Sequence, residues 1–223
     1  MKSKLTIVQT IACVALLVGV AAPAAATSFT VDTINRGWLT SAGSNNGSSP
    51  NNNFAVGWCP PCNAEFRDFF LFSVPVLDGP VISADLFITV ASNSYLSPDT
   101  SETFVLTSTA GSSFADLGTG TLYASRPFSP ADNLTTVDTG LNASALAAIV
   151  SGGAFEMSGR VSTLSFNPSG ESILGASQDT SVQLRIITGP AANPVPEPAS
   201  MLLFGTGLVG VGARRWRNRR HRS

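Results

Sequence analysis

Histidine is nearly absent from the sequence: the single residue, His221, stands close to the C-terminal end. Charged residues are also scarce at 12%, about half of the usual share near 25%. No lysine follows Lys4. These absences exclude a folded catalytic site built on histidine, a coiled coil and a charge-rich disordered chain. The chain instead has 43% hydrophobic residues, with 20 Gly and 14 Pro.

The few charges are distributed unevenly along the chain. Residues 27–195 contain five arginines and 13 acidic residues, which gives this stretch a net charge of −8. The remaining basic residues lie at the two ends. An acidic body repels phosphate backbones, so we expect no nucleic-acid partner.

The N-terminal residues have the organisation of a secretory signal peptide. Lys2 and Lys4 precede a short apolar stretch, and Ala24 and Ala26 provide the small residues that signal peptidase needs before the cleaved bond. Cleavage after Ala26 is therefore predicted, and an uncleaved N-terminal anchor is the alternative. Cys13 lies inside the apolar stretch, in a context that argues against lipidation.

The C-terminal end has three features in a fixed order. Pro196, Glu197 and Pro198 precede the apolar, glycine-containing stretch 199–213. A basic cluster follows, with Arg214, Arg215, Arg217, Arg219, Arg220 and Arg222. As a helix the apolar stretch would rise about 22 Å, which is short of a hydrocarbon core about 30 Å thick. We expect a marginal membrane-spanning helix whose arginines stay on the cytoplasmic side.

These features together resemble the PEP-CTERM sorting tail of exported bacterial proteins. The resemblance covers about thirty residues and implies recognition by an exosortase, a membrane-embedded peptidase. It also implies a Gram-negative-type envelope, a membrane-anchored precursor, and delivery to the cell surface or the exopolysaccharide matrix. Permanent anchoring by the tail is the alternative. The sequence thus divides into a signal peptide (1–26), an extracytoplasmic domain (27–194) and a sorting and anchor segment (195–220).

The central region is dominated by short apolar runs that Gly, Pro, Asn, Asp and Ser separate. Leu86, Ile88 and Val90 alternate with other residues, as in a strand with one buried face. Asn142 is placed to cap a short helix over 143–150, which Gly152 and Gly153 would end. The predicted strands are 28–33, 54–58, 67–74, 82–91, 103–109, 120–124, 135–139, 154–161, 172–175 and 180–188.

This pattern predicts an all-β fold, an antiparallel β-sandwich or jelly roll with one short helix. The runs 69–74 and 81–86 also resemble the opening of extracellular jelly-roll modules, some of whose relatives bind carbohydrate. Phe69, Phe70 and Phe72 are expected to lie in the core.

Cys59 and Cys62 form the one sharply spaced pair in the central region. Such a pair can be structural, redox-active or metal-binding. Export favours a disulfide, and Pro60 and Pro61 indicate a loop rather than the helix start of a redox motif. We expect a structural disulfide and no metal.

The segment 41–53 is rich in Ser, Asn and Gly and is named here the Asn-rich loop. It is predicted to be a flexible surface loop. The alternative is a ligand-facing loop beside Trp38 and Trp58, whose rings could stack on sugars.

Acidic residues offer the remaining chemistry. A pair of carboxylates could hydrolyse a glycoside without histidine, and the candidates are Glu65, Asp68, Glu102, Glu156 and Glu171. No spacing singles out two of them. Turns at Asp99 and at Asp132 with Asn133 leave room for Ca²⁺, which prefers oxygen ligands; otherwise no cofactor is expected.

The sequence therefore predicts an exported, non-enzymatic protein of the cell surface or matrix. Its expected partners are signal peptidase, an exosortase and the membrane, with exopolysaccharide as a further partner. A carbohydrate-binding module and a carboxylate-based glycosidase are the two alternatives.

Overall fold

The computed structural model describes residues 25–174 and 180–190. Runs rich in Val, Ile, Phe and Thr form strands, as expected for residues that fit a pleated surface. Two 3₁₀ turns lie at Phe114–Asp116 and Pro130–Asp132. The other elements are β1 (Thr27–Thr40), β2 (Val56–Cys59), β3 (Ala64–Val74), β4 (Val81–Thr89), β5 (Glu102–Ser108), β6 (Leu122–Phe128), β7 (Thr136–Gly140), α1 (Ala143–Ile149), β8 (Gly153–Val161), β9 (Glu171–Ile173) and β10 (Val182–Thr188).

The long strand β1 joins two antiparallel ladders. Its first half, from Thr27 to Asp32, pairs with β10, and its second half pairs with β3. A register irregularity between Thr33 and Asn35 marks the change of partner. The strand order is β6-β5-β8-β3-β1-β10-β4-β7, and β2 pairs with both β3 and β9. An irregularity of the β-bulge type bends a strand. The bend between Thr33 and Asn35 allows β1 to pair in both ladders.

The two end strands of this order, β6 and β7, approach each other through Asn142. The backbone N–H of Asn142 donates to the carbonyl of Tyr123 at 2.8 Å, and its side-chain amide donates to the carbonyl of Leu122 at 2.7 Å. Asn142 follows shortly after the end of β7 in the sequence. The sheet is therefore nearly closed into a barrel around one core.

The core is built from the alternate residues of facing strands, because strand side chains have a period of two. Leu86 and Ile88 in β4 and Leu184 and Ile186 in β10 are completely buried. The second ladder adds Phe70, Phe72, Phe104 and Met157 to the same cluster.

Phe69 departs from the expected core. Phe70 and Phe72 are buried as predicted, but Phe69 points to the outward side of β3 and is only partly buried. The alternation of the strand forces this, since neighbouring residues cannot both face inward. The prediction that Phe69 is a core residue was wrong.

The prediction of an all-β antiparallel fold with one short helix is confirmed. Every predicted strand overlaps an observed one, and α1 begins after Asn142. The finer assignment to a jelly roll stays a prediction. In the ranges 25–174 and 180–190, no helix is long and apolar enough to cross a membrane. The predicted C-terminal membrane helix lies outside these residues.

Candidate functional site

The predicted sorting and processing residues fall almost entirely outside the described ranges. This applies to Ala24, to the motif Pro196, Glu197 and Pro198, and to the arginines from Arg214 onward. Ala26 is described, and β1 begins at the next residue, Thr27. The predicted cleavage point therefore coincides with the start of the first strand, where Thr27 pairs with Thr188.

Cys59 and Cys62 are joined by a disulfide in the turn between β2 and β3. Their Cα atoms are 5.3 Å apart. The backbone N–H of Asn63 donates to the carbonyl of Pro60 at 3.0 Å, and Asn63 has a positive φ of 46°. Asparagine tolerates this conformation better than most residues. The geometry is compatible with the expected structural disulfide, because the pair closes a hairpin and does not begin a helix.

The two tryptophans predicted to flank a ligand loop have different neighbours. The ring of Trp38 packs against Phe66, with centroids 4.9 Å apart. The ring of Trp58 packs edge-on against Phe166, with centroids 5.2 Å apart. Trp58 lines a mostly apolar groove of about 270 Å³ with Phe66, Leu96 and Pro60, named here the Trp58 groove.

Phe166 is presented to solvent in a conformation that aromatic residues rarely adopt. Its φ is 58° and its side chain is 53% exposed. The carboxylate of Glu171 accepts from the backbone N–H groups of Ser165 and Asn167, at 2.9 and 3.2 Å, and from the Ser165 hydroxyl. Strained residues persist only where neighbours over-determine them, and here Glu171 supplies that constraint.

Burial would raise the pKa of Glu171, but the hydrogen bonds from Ser165, Asn167 and the backbone of Phe166 outweigh it and lower that pKa. The carboxylate is therefore ionised inside the protein. Glu102 is also fully buried, and it accepts from the hydroxyls of Ser97, at 2.6 Å, and Thr163.

Asp99, Glu102 and Glu171 form the group of described residues that could hold a metal ion. One carboxylate oxygen from each lies within 4.8 Å of the others. The sequence flagged Asp99 as a turn suited to Ca²⁺, but it did not bring the two glutamates to it, because they lie on different strands. Asp132, the other flagged residue, instead forms an ion pair with Arg126 at 2.8 Å.

The Asn-rich loop is pinned to the edge of β1 by hydrogen bonds. The side-chain oxygen of Asn46 accepts from the backbone N–H of Trp38 at 3.0 Å, and that of Asn35 accepts from the N–H of Ser49 at 2.9 Å. The backbone N–H of Arg36 donates to the carbonyl of Ser49 at 3.2 Å. The loop is thus held in one place on the outward side of the sheet.

A second loop, residues 109–121, covers the neighbouring part of that side. Arg67 donates to the carbonyl of Leu117 at 2.9 Å, and its guanidinium lies 4.3 Å from the ring centre of Phe114. Arg160 donates to the carbonyl of Gly118 at 2.8 Å. Two arginines from β3 and β8 therefore hold this loop against the sheet.

Between the two loops lies a cleft of about 260 Å³, named here the loop cleft. Phe69 from β3 and Glu156 from β8 contribute the outward side of the sheet, and Asn45 and Ser112 come from the loops. Glu156 is the one charged residue that lines it, and burial raises the pKa of its carboxyl group. The sequence identified Glu156 only as one of five candidate carboxylates. The pairing of β8 with β3 brings it close to Phe69, and such pairing leaves no local pattern in the sequence.

The other carboxylates are engaged or inaccessible. Glu65 forms an ion pair with Arg67 at 2.8 Å. Asp68 is fully buried, and neither of its oxygens has a hydrogen-bond partner among the described residues. The nearby backbone N–H groups of Gly159 and Asp68 lower the pKa of this carboxyl group, but by less than burial raises it. Burial therefore dominates and raises the pKa of Asp68 well above its usual range.

Comparison with known families and proteins concerns the C-terminal end. No curated protein matches the chain. Residues 194–220 match the family model of the PEP-CTERM protein-sorting motif. This range contains both the Pro-Glu-Pro sequence and the basic cluster, and it confirms the resemblance drawn from them. The chain therefore carries a PEP-CTERM protein-sorting motif, which implies export as a membrane-anchored precursor and processing by an exosortase, a membrane protein.

Proposed function

We propose that this chain is a non-enzymatic protein that exosortase processing delivers to the cell surface or to the exopolysaccharide matrix, with the β-rich body as its cargo. The match of residues 194–220 to the sorting motif carries this proposal. The body suits an extracellular location, because its two cysteines form a disulfide and its core is continuous. Disulfides persist in oxidising compartments.

The distribution of carboxylates supports a non-enzymatic body. Hydrolysis of a glycoside needs two carboxyl groups that both reach the substrate. Of the five candidates, Asp68, Glu102 and Glu171 are fully buried, and Glu65 is paired with Arg67. Glu156 stands in its cleft as the single charged residue.

Delivery is tested by following the body in cells that lack the exosortase. We expect the parent cells to release a processed protein to the surface or matrix fraction. Cells without the exosortase should keep a larger, membrane-bound precursor. Equal amounts of processed protein outside both kinds of cell would contradict the proposal.

Carbohydrate binding is the second candidate function, and the loop cleft favours it. Phe69 offers an aromatic surface for the apolar face of a sugar ring, while Asn35, Asn45 and Ser112 offer partners for hydroxyl groups. Binding sites of this kind combine apolar walls with a few placed polar groups. The site lies on loops held by a rigid sheet, where binding residues are often found.

A glycan array with the mature exported protein tests this function. Phe69→Leu removes the aromatic ring from the loop cleft but keeps an apolar side chain, and it should weaken binding. Phe166→Leu makes the same change at an exposed phenylalanine that contacts the Trp58 ring, away from the loop cleft, and is the matched control. If Phe166→Leu loses binding and Phe69→Leu does not, the glycan binds at the Phe166–Trp58 pair and not in the loop cleft. If no glycan binds, the carbohydrate function is wrong.

A further inference from the structure

We propose that the loop cleft binds an amino sugar, a sugar ring with a free ammonium group within a polysaccharide, and that the Glu156 carboxylate is its counter-ion. This inference rests on the proposed carbohydrate-binding function and names the class of sugar. It depends on the charges of the body, on the lining of the cleft and on its size.

Glu156 faces the cleft because of its place in the strand. In β8 its neighbours Phe155 and Met157 are buried in the core, so Glu156 points to the outward side. It lies opposite Leu71 of β3. Its carboxylate makes no hydrogen bond and no ion pair with the other described residues. The carboxylate is free to meet a ligand.

The arginines of the body are held by groups other than Glu156. Residues 27–195 contain no lysine and five arginines. Arg36 donates to the carbonyl of Asn52, Arg160 to that of Gly118, and Arg67 to those of the 109–121 loop. Arg126 and Arg185 are paired with Asp132 and Asp85. None of the five is paired with Glu156, so a cation carried by a ligand can serve as its counter-ion.

The lining favours an ammonium group on a sugar over a metal ion. Ca²⁺ needs about six to eight oxygen ligands, and one carboxylate with neutral neighbours falls short of that number. An ammonium group needs one carboxylate and gains from an adjacent aromatic face, which Phe69 provides. The amide of Asn35 and the hydroxyl of Ser112 can bind ring hydroxyl groups.

Size and long-range charge agree with a polysaccharide ligand. The cleft, at about 260 Å³, is slightly smaller than the range of about 300 to 1,000 Å³ typical of sites for drug-sized molecules. It therefore suits one ring of a chain. The net charge of −8 over residues 27–195 attracts a polycation from a distance and raises its encounter rate.

Calorimetry with the mature exported protein tests the inference, using short β-linked oligomers of glucosamine, N-acetylglucosamine and glucose. These ligands share a ring and differ in the group at one carbon. We expect glucosamine to bind about tenfold more tightly than the other two, the effect of one charge-assisted hydrogen bond. Glu156→Gln should abolish that preference. Asp78→Asn, which removes an exposed carboxylate from another loop, should retain it.

The remaining outcomes separate this inference from the carbohydrate function. Equal affinity for glucosamine and N-acetylglucosamine would overturn the amino-sugar assignment and leave carbohydrate binding intact. An oligolysine peptide that binds through Glu156 more tightly than glucosamine does would assign the cleft to a basic protein partner and overturn the inference. Failure of every oligomer and of the glycan array would sink both proposals.

Discussion

Asp68 shows how a single residue can make the whole fold sensitive to pH. It lies on β3 opposite Trp38 of β1 and Gly159 of β8. A methyl group on Gly159 would collide with the Asp68 carboxyl, so the two residues are in close contact. An ionised carboxylate in such a place is costly. The raised pKa therefore means that the folded protein keeps a proton on Asp68 up to a higher pH than the unfolded chain does.

The first prediction concerns stability as the pH rises. The folded protein binds the Asp68 proton more tightly than the unfolded chain does, so this contribution is complete below the unfolded pKa of about 3.9. It is lost as the pH rises toward the folded value. Asp68→Asn should remove this decline. Urea unfolding at a series of pH values between acid and neutral measures this decline in the free energy of unfolding, and Asp78→Asn is the exposed control. If the free energy of Asp68→Asn changes with pH in parallel with that of the parent, the prediction is contradicted.

Glu171 has the opposite dependence on pH. Its pKa is lowered in the folded protein, so its contribution is present above the unfolded pKa of about 4.3. The contribution is lost as the pH falls through the folded value. Glu171→Gln should reduce the free energy of unfolding at neutral pH by about 1.5 to 3 kcal/mol, the range for hydrogen bonds to a charged group.

Urea unfolding at neutral and acid pH checks this second prediction. Trp58 fluorescence should report the same change, since Phe166 contacts the Trp58 ring. The difference between the parent and Glu171→Gln should shrink in acid. If the difference stays constant through acid pH, the loss comes from packing and not from the charge of Glu171.

At the residue scale the sequence identified these residues as candidates but did not predict their roles. The list of five carboxylates contained the buried Asp68, the constraining Glu171 and the cleft residue Glu156. Their roles depend on which strands become neighbours, and pairing over such sequence distances leaves no local signal. Phe69 was placed wrongly because a run of aromatic residues hides the alternation of inward and outward positions.

At the scale of elements, Asn142 joins the helix to the closing edge of the sheet. Its side-chain oxygen accepts from the backbone N–H groups of Ser144 and Ala145, at 3.0 and 3.2 Å, and caps α1. Its amide nitrogen donates to Leu122 of β6. One side chain thus performs two separable tasks.

The third prediction separates these tasks. Asn142→Ala loses the cap and the contact with β6, and it should lower the free energy of unfolding by about 1 to 2 kcal/mol. Asn142→Asp keeps a good capping oxygen and loses the donor to Leu122, so its loss should be smaller. Chemical unfolding of both variants gives the comparison. An equal loss in both would mean that the contact with β6 dominates.

Elements were the scale at which the sequence was most informative. The alternation in β4 and the cap of α1 are local signals, and both were predicted. The second half of β1 was missed because Asn35, Arg36 and Gly37 interrupt its apolar pattern. There the strand changes partners, and the buried Arg36 is held by Asn52 from the Asn-rich loop.

At the scale of the whole molecule, the sorting segment and the strands of the body occupy separate parts of the sequence. Strand β1 begins at Thr27, which pairs with Thr188, so the start of the first strand lies beside the end of the last one. The matched segment, 194–220, follows shortly after. Because the matched residues follow the last strand in the sequence, we expect that they can be changed without disturbing the strands.

The fourth prediction tests the two parts of the sorting segment. Proline disfavours helix, so we expect Pro196, Glu197 and Pro198 to be read as an extended strip. Replacing all three with Ala should leave an uncleaved precursor in the membrane. Replacing the six arginines after residue 213 with Ser should instead release the tail across the membrane, since each arginine in hydrocarbon costs at least about 2.5 kcal/mol.

Fractionation with an antibody against the body distinguishes these outcomes. Pro190→Ala is the control, because this proline precedes the matched segment, and it should be processed like the parent. The apolar stretch 199–213 is too short and too rich in glycine to stop translocation alone, so the serine variant should leave the membrane fraction. If the alanine variant is cleaved and released like the parent, Pro196, Glu197 and Pro198 are not the signal that the exosortase reads.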